Sequence, residues 1–238
     1  MVSKIKALLE GLKQLKAKQI MFLFSGIRAI IIPSFLYALN STLPILFDMP
    51  IRKASIFIIF FFILFGIGYF LERFWVAFLI KFAYEKKPNI MKTFSYAEKT
   101  IGNFVISSFL FISLASLSFL ASQILTIMEL GIFFIVELIV LTKLLLYEYA
   151  IVIEEKDILE SFRRSWKLTE NNFLNTLTLK LFFATLLFGI LALQSYIVSA
   201  SQYAINFYLT VFLLLWLLTP WEICSFVSFF EQLKNKRK

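Results

Sequence analysis

Six long apolar stretches, at about 21–39, 51–71, 103–125, 131–152, 173–196 and 205–229, constrain this chain more than any other feature. A helix needs roughly 20 apolar residues to cross a hydrocarbon layer about 30 Å thick. Six such helices account for about half of the 238 residues. Composition agrees, with 60% hydrophobic residues, only 16% charged and 30 Phe. A soluble domain sits nearer half apolar and a quarter charged. The reading is an all-α membrane protein, a single polytopic domain over 1–238 with six transmembrane helices. No cleavable signal is expected, because the first apolar run follows a long charged segment and lacks a small-residue cleavage site.

Basic residues set the orientation. Eighteen Lys and Arg flank one side of the stretches, in four groups: the N-terminal tail, the segment from Lys81 to Lys99, the segment from Lys156 to Lys167, and the C-terminal tail. The other side has Arg52 and Lys53 only. Positive charge stays in the cytoplasm, so the chain is expected in the cell membrane, multi-pass, with both termini cytoplasmic. The net charge of +9 sits beside apolar runs, which points to anionic lipid headgroups as partners rather than to nucleic acid.

Three cytoplasmic segments read as interfacial amphipathic helices. In 157–166 the residues Ile158, Leu159, Phe162 and Trp166 share a face, and Asp157 with Glu160 forms a capping-box pattern. Phe162, Trp166, Arg163 and Arg164 are the candidate interfacial anchors. The segment from Pro88 to Gly102 and the N-terminus repeat the plan, with Leu8, Leu9, Glu10 and Leu12 aligning on Ile158, Leu159, Glu160 and Phe162. This suggests three repeats, 1–80, 81–150 and 151–238, each an interfacial helix and a hairpin. Plain alternation of basic and apolar segments in a chain with inside termini gives the same pattern, and both readings stand.

The run 154–173 carries a sharper pattern: Glu154-Glu155, Asp157, then Ser165-Trp166-Lys167-Leu168-Thr169 and Asn172-Phe173. It resembles the polytopic membrane domain of glycerophosphoryl diester phosphodiesterases and related uncharacterised integral membrane protein families. The resemblance is sharp over about twenty residues and topological elsewhere. It implies a helical membrane domain; the family's catalysis belongs to a separate soluble barrel, so no catalytic residue is carried over.

Chemistry is scarce. Histidine is absent and Cys224 stands alone, which removes the bases and ligands that membrane serine proteases, phosphatases and metalloproteases require. Asp48 and Asp157 both lie outside the stretches, so a paired-aspartate protease is not built. No catalytic, metal or cofactor-binding residue is expected, and the Glu154-Glu155 pair reads as a solvated turn. Within the stretches or at their ends, Lys180, Lys143 and Glu72 lie near the cytoplasmic side. Arg28 and Glu137 fall near mid-membrane, where an uncompensated charge is expensive, and are expected to pair. Two functions follow: a non-enzymatic, lipid-interacting or assembly protein, or a small permease or channel using that Arg/Glu pair. A lipid-filled groove favours the first, a water-filled cavity the second.

Overall fold

A computed structural model describes residues 3–47, 51–117, 127–197 and 203–236. Over these residues the chain is helical, with no strand. The helices are α1 (Lys4–Ala17), α2 (Ile20–Phe47), α3 (Ile51–Tyr84), α4 (Ile90–Ala115), α5 (Ile127–Leu144), α6 (Tyr147–Glu154), α7 (Ile158–Thr169), α8 (Phe173–Ile197) and α9 (Tyr203–Lys236). Among the described residues, Phe173–Ala192 and Phe207–Asn235 are each long and apolar enough to cross a membrane, and Ile20–Ile31 is a shorter apolar helix.

The core is concentrated toward one end of the bundle. Residues 76–80 of α3, 149–153 of α6 and 223–230 of α9 are buried without interruption. Apart from Ser225 and Ser228 these runs are apolar, so they are stable only when covered on every side. Aromatic contacts knit them, including Tyr149 stacked on Phe226 with centroids 5.7 Å apart and Phe24 edge-on to Phe78 at 4.7 Å. Four polar contacts define the same end. Ser3 N–H donates to Gln232 Oε1 at 3.4 Å, Lys18 Nζ donates to Glu85 O at 2.5 Å, and Lys234 and Lys81 approach Glu154 and Glu155 at 3.8 and 4.0 Å. Both chain ends, the α3–α4 turn and the α6–α7 turn therefore lie together.

Small residues set the closest approaches. A Cβ on Gly11 of α1 would come within 2.8 Å of both Ser225 N and Ser225 Cα, so α1 packs backbone to backbone on α9. Trp216 of α9 lies over Gly26 and donates its indole N–H to Phe22 O at 2.5 Å, while Ser25 Oγ donates to Trp216 O at 2.9 Å. Lys18 caps the carboxyl end of α3, where its ammonium donates to the carbonyls of Phe82, Ala83 and Glu85 at 3.0, 2.5 and 2.5 Å. Those carbonyls have no partner within the helix, and a cation there also meets the negative end of the dipole.

The helix boundaries depart from the sequence expectations in three places. The second stretch does not stop at Leu71, since α3 continues to Tyr84 and carries Glu72, Arg73 and Lys81 with it. The amphipathic segment before the third stretch is not a separate helix but the first half of α4, a continuous helix of 26 residues. Only Gly102 interrupts it, and one glycine costs about 1 kcal/mol against alanine, too little to break a helix of this length. The fourth stretch is broken into α5 and α6 at Leu145 and Leu146.

Candidate functional site

The break between α5 and α6 is held by the 154–173 pattern. Ser161, Ser165 and Thr169 recur every fourth residue and form the buried face of α7. Ser165 Oγ donates to Lys143 O at 2.8 Å and accepts from Leu146 N–H at 3.0 Å; Thr169 Oγ1 also donates to Lys143 O, at 3.1 Å. Hydroxyls of α7 thus replace the helical hydrogen bonds that the break removes. The consequence is that α6 starts on a fresh helical phase, with Tyr147 and Glu148 facing the bundle interior.

Glu148 there joins a run of charges. Arg73 Nη1 donates to Glu148 Oε1 at 2.8 Å, and Tyr147 OH donates to the same oxygen at 3.0 Å. Arg73 Nε also donates to Glu72 Oε2, whose second oxygen accepts from Arg28 Nε at 2.8 Å. Arg28 Nη1 donates to Thr219 Oγ1 at 3.0 Å, and Ser108 Oγ lies 3.4 Å from Arg73 Nη1. The chain of charges therefore ties α2, α3, α6 and α9 together. Arg73 lies eleven residues before the end of α3, about 16 Å at 1.5 Å per residue.

Arg28, Arg73, Tyr147, Glu148 and Thr219 line a chamber of about 190 Å³ together with Lys180 of α8 and Glu222 of α9. Lys180 Nζ donates to Glu222 Oε1 at 2.5 Å. Three cations, Arg28, Arg73 and Lys180, and two carboxylates, Glu148 and Glu222, line the chamber; the third carboxylate, Glu72, is paired with both arginines but is not part of the lining, so the six charges balance only as a network. A second, largely apolar cavity of about 260 Å³ opens between α8 and α9, lined by Phe183, Ala184, Leu187, Phe188, Leu214, Leu215 and Leu218. Lys180, Thr219 and Glu222 line both spaces, so the apolar groove and the charged chamber share a wall.

A family model described as Domain of unknown function (DUF7847) matches residues 90–220. The chain belongs to this DUF7847 family. No curated protein and no solved structure matches the chain. The DUF7847 segment contains Ser108, Tyr147, Glu148, the α7 hydroxyls, Lys180 and Thr219, whereas Arg28, Glu72, Arg73 and Glu222 lie outside it. Four of the six charges in the network of this DUF7847 protein thus lie beyond the matched segment.

Several sequence expectations meet different partners. Arg28 does find a carboxylate, but it is Glu72 on α3 rather than Glu137; Glu137 is buried on α5. The reason is the extension of α3, which carries Glu72 inward alongside α2. Of the proposed anchors, Arg163 and Trp166 are exposed, with Lys143 Nζ 4.4 Å from the Trp166 ring centroid. Phe162 instead turns inward onto Tyr147, centroids 5.0 Å apart, and Arg164 grips Glu154 in a two-point pair at 2.7 and 2.8 Å. Glu154 is therefore not a solvated turn residue, since its side chain is only 9% exposed. Asp157 caps α7 by accepting from Glu160 N–H at 2.7 Å, whereas the Glu160 carboxylate pairs with Lys156 at 2.9 Å instead of closing a capping box.

Arg73, Glu148 and Glu222 are not among the residues expected from the sequence, although Glu222, like Glu148, is an ionisable residue inside an apolar stretch. Arg73 falls two residues past the second stretch, and Glu148 lies inside the fourth. The available signal is the Glu72-Arg73 doublet: adjacent opposite charges at the end of an apolar run require further partners, and Glu148 and Arg28 supply them.

Outside the stretches, burial pushes the Lys18 ammonium below the ordinary lysine range, with Glu85 and Glu231 partly offsetting it. Burial likewise raises the Tyr96 hydroxyl, which donates to Val152 O at 2.8 Å beneath the Lys81 ammonium.

Proposed function

We propose that this chain is a non-enzymatic, multi-pass membrane protein that binds an amphiphile, with six spans (α2, α3, α4, α5 with α6, α8 and α9) and both termini cytoplasmic. The carrying observation is the shared wall between a charged chamber and an apolar groove, which matches a molecule having one polar and one apolar end. Small-molecule sites combine apolar walls with a few placed polar groups in this way.

Exposed apolar surface supports the membrane reading. Phe109 and Ile132, on α4 and α5, are 64% and 60% exposed, and Phe188 on α8 is 66% exposed. Such continuous apolar cover asks for lipid or a partner. The gathering of both termini and two basic turns at one end fits the lopsided distribution of Lys and Arg. The likeness of 154–173 to the membrane domain of glycerophosphoryl diester phosphodiesterases belongs to the same reading, which places no catalysis here.

The test is mass spectrometry of the full chain released from its native membrane in mild detergent. One phospholipid per chain is expected to stay bound, and Ala184→Trp, which fills the groove, is expected to remove it. A chain that retains no lipid refutes the reading.

A second reading, passage of a small charged solute, is favoured by the charge-lined chamber itself. Solute flux in reconstituted vesicles, abolished by Arg73→Met but unaffected by Ala184→Trp, distinguishes it.

A further inference from the structure

We propose that the amphiphile is zwitterionic: its phosphate lies against Lys180, its ammonium against Glu222, and one of its alkyl chains runs into the groove between α8 and α9. The inference rests on the amphiphile-binding reading and names the headgroup that the site selects.

Two features of the chamber carry it. The first is charge balance: the three cations of the lining are matched by Glu148 and Glu222 in the lining and by Glu72, which is paired with Arg28 and Arg73 outside it. In a poorly hydrated site a ligand with a net charge leaves that charge uncompensated, and uncompensated buried charge is strongly unfavourable. A ligand with both signs and no net charge leaves the balance as it was.

The second is that the six charges are not equivalent. Glu72 is shared by Arg28 and Arg73, and Glu148 by Arg73 and Tyr147. The side chains of Arg28, Arg73 and Glu72 are only 17%, 17% and 8% exposed. They form a fixed frame. Lys180 and Glu222 are paired across the wall common to both spaces, and their side chains are 47% and 25% exposed. This pair is the replaceable one. Opening it offers a cation and a carboxylate side by side at the mouth of the apolar groove. A phosphate takes the Lys180 ammonium, an amine takes the Glu222 carboxylate, and one ion pair becomes two. An anionic lipid without an amine turns Glu222 toward a second negative charge, and like charges at close range disfavour one another.

The experiment titrates lipids into the delipidated full-length chain in detergent, with binding read by native mass spectrometry and by the shift in thermal unfolding. The probes are phosphatidylethanolamine, phosphatidylglycerol with the same acyl chains, and phosphatidylethanolamine whose amine has been acetylated. Phosphatidylethanolamine is expected to bind about tenfold tighter than either of the others, a difference of the size a lost charge pairing produces. Glu222→Gln is expected to abolish that preference, and Lys180→Gln to weaken all three lipids together. The acetylated lipid tests the amine on the unaltered protein, so the outcome does not depend on either variant folding. Soluble phosphoethanolamine is the remaining arm and is expected to bind far more weakly; equal binding of headgroup and lipid overturns the role of the groove. Equal binding of the three lipids overturns the zwitterion inference but leaves the amphiphile reading intact. Failure of every lipid to bind removes both.

Discussion

Arg28 on α2 and Glu72 on α3 meet in a 2.8 Å hydrogen bond, and the second oxygen of Glu72 receives Arg73. One carboxylate therefore neutralises part of two guanidinium groups, and through Arg73 it is connected to Glu148. The balance has an asymmetric consequence. Removing an arginine leaves Glu72 with one cation, while removing Glu72 leaves two cations facing each other.

Glu72→Gln should accordingly be more damaging than loss of Arg28. Breaking a buried pair by deleting one partner costs about 3–5 kcal/mol. Arg28→Met should cost less, because Arg73 still holds Glu72. Thermal unfolding of both variants in detergent measures the order; an Arg28 variant less stable than the Glu72 variant contradicts it.

Ser165→Ala should destabilise by about 1–3 kcal/mol, since it strands the Leu146 N–H inside the protein. Ser161→Ala is the control. Its hydroxyl donates only to Ile158 O within α7, at 2.7 Å, and that carbonyl belongs to the first turn of a helix that stays formed. Comparable losses in the two variants exclude the helix-break role of Ser165.

Gly11→Ala should separate α1 from α9. Its new methyl meets the Ser225 backbone, which cannot rotate away, and overpacking of this kind costs about 1–3 kcal/mol. Gly102→Ala meets nothing within 4 Å and should stabilise by about 0.4–1 kcal/mol. Proteolysis of the N-terminal segment provides the readout: faster release of α1 is expected for the first variant and not for the second.

Lys18 predicts a pH dependence. Burial holds its folded pKa below the ordinary value of 10.5. Between those two values the unfolded chain binds more protons than the folded one, so this residue's contribution makes stability rise with pH and level off above 10.5. Lys18→Met should flatten that part of the profile. An unchanged slope in the alkaline range excludes Lys18 as its source.

Topology can be checked independently. In a Cys224→Ser background, Lys87→Cys and Asn235→Cys should resist a membrane-impermeant maleimide in intact cells and react once the cells are permeabilised. Labelling of either from outside reverses the proposed orientation.

The helical class was legible in the sequence because apolar runs of span length and a one-sided distribution of Lys and Arg are local properties, readable without knowing which helices touch. The helix α7 and its Asp157 cap were legible for the same reason, though not which of its faces is buried. The partner of Arg28 was not. Glu72 and Glu137 are both carboxylates, and the choice between them depends on α3 continuing past Leu71 to lie beside α2. Nor could the pattern at 154–173 reveal its purpose. Ser165 and Thr169 look like small surface residues until the break at Leu145 and Leu146 is seen beneath them, nineteen residues before Ser165 in the case of Leu146. The helical class and the apolar stretches were determined by the sequence alone. Which charges share a chamber, and that an apolar groove opens onto it, was decided only by tertiary packing, because ion pairing falls off over a few ångströms and sequence separation carries no such distance.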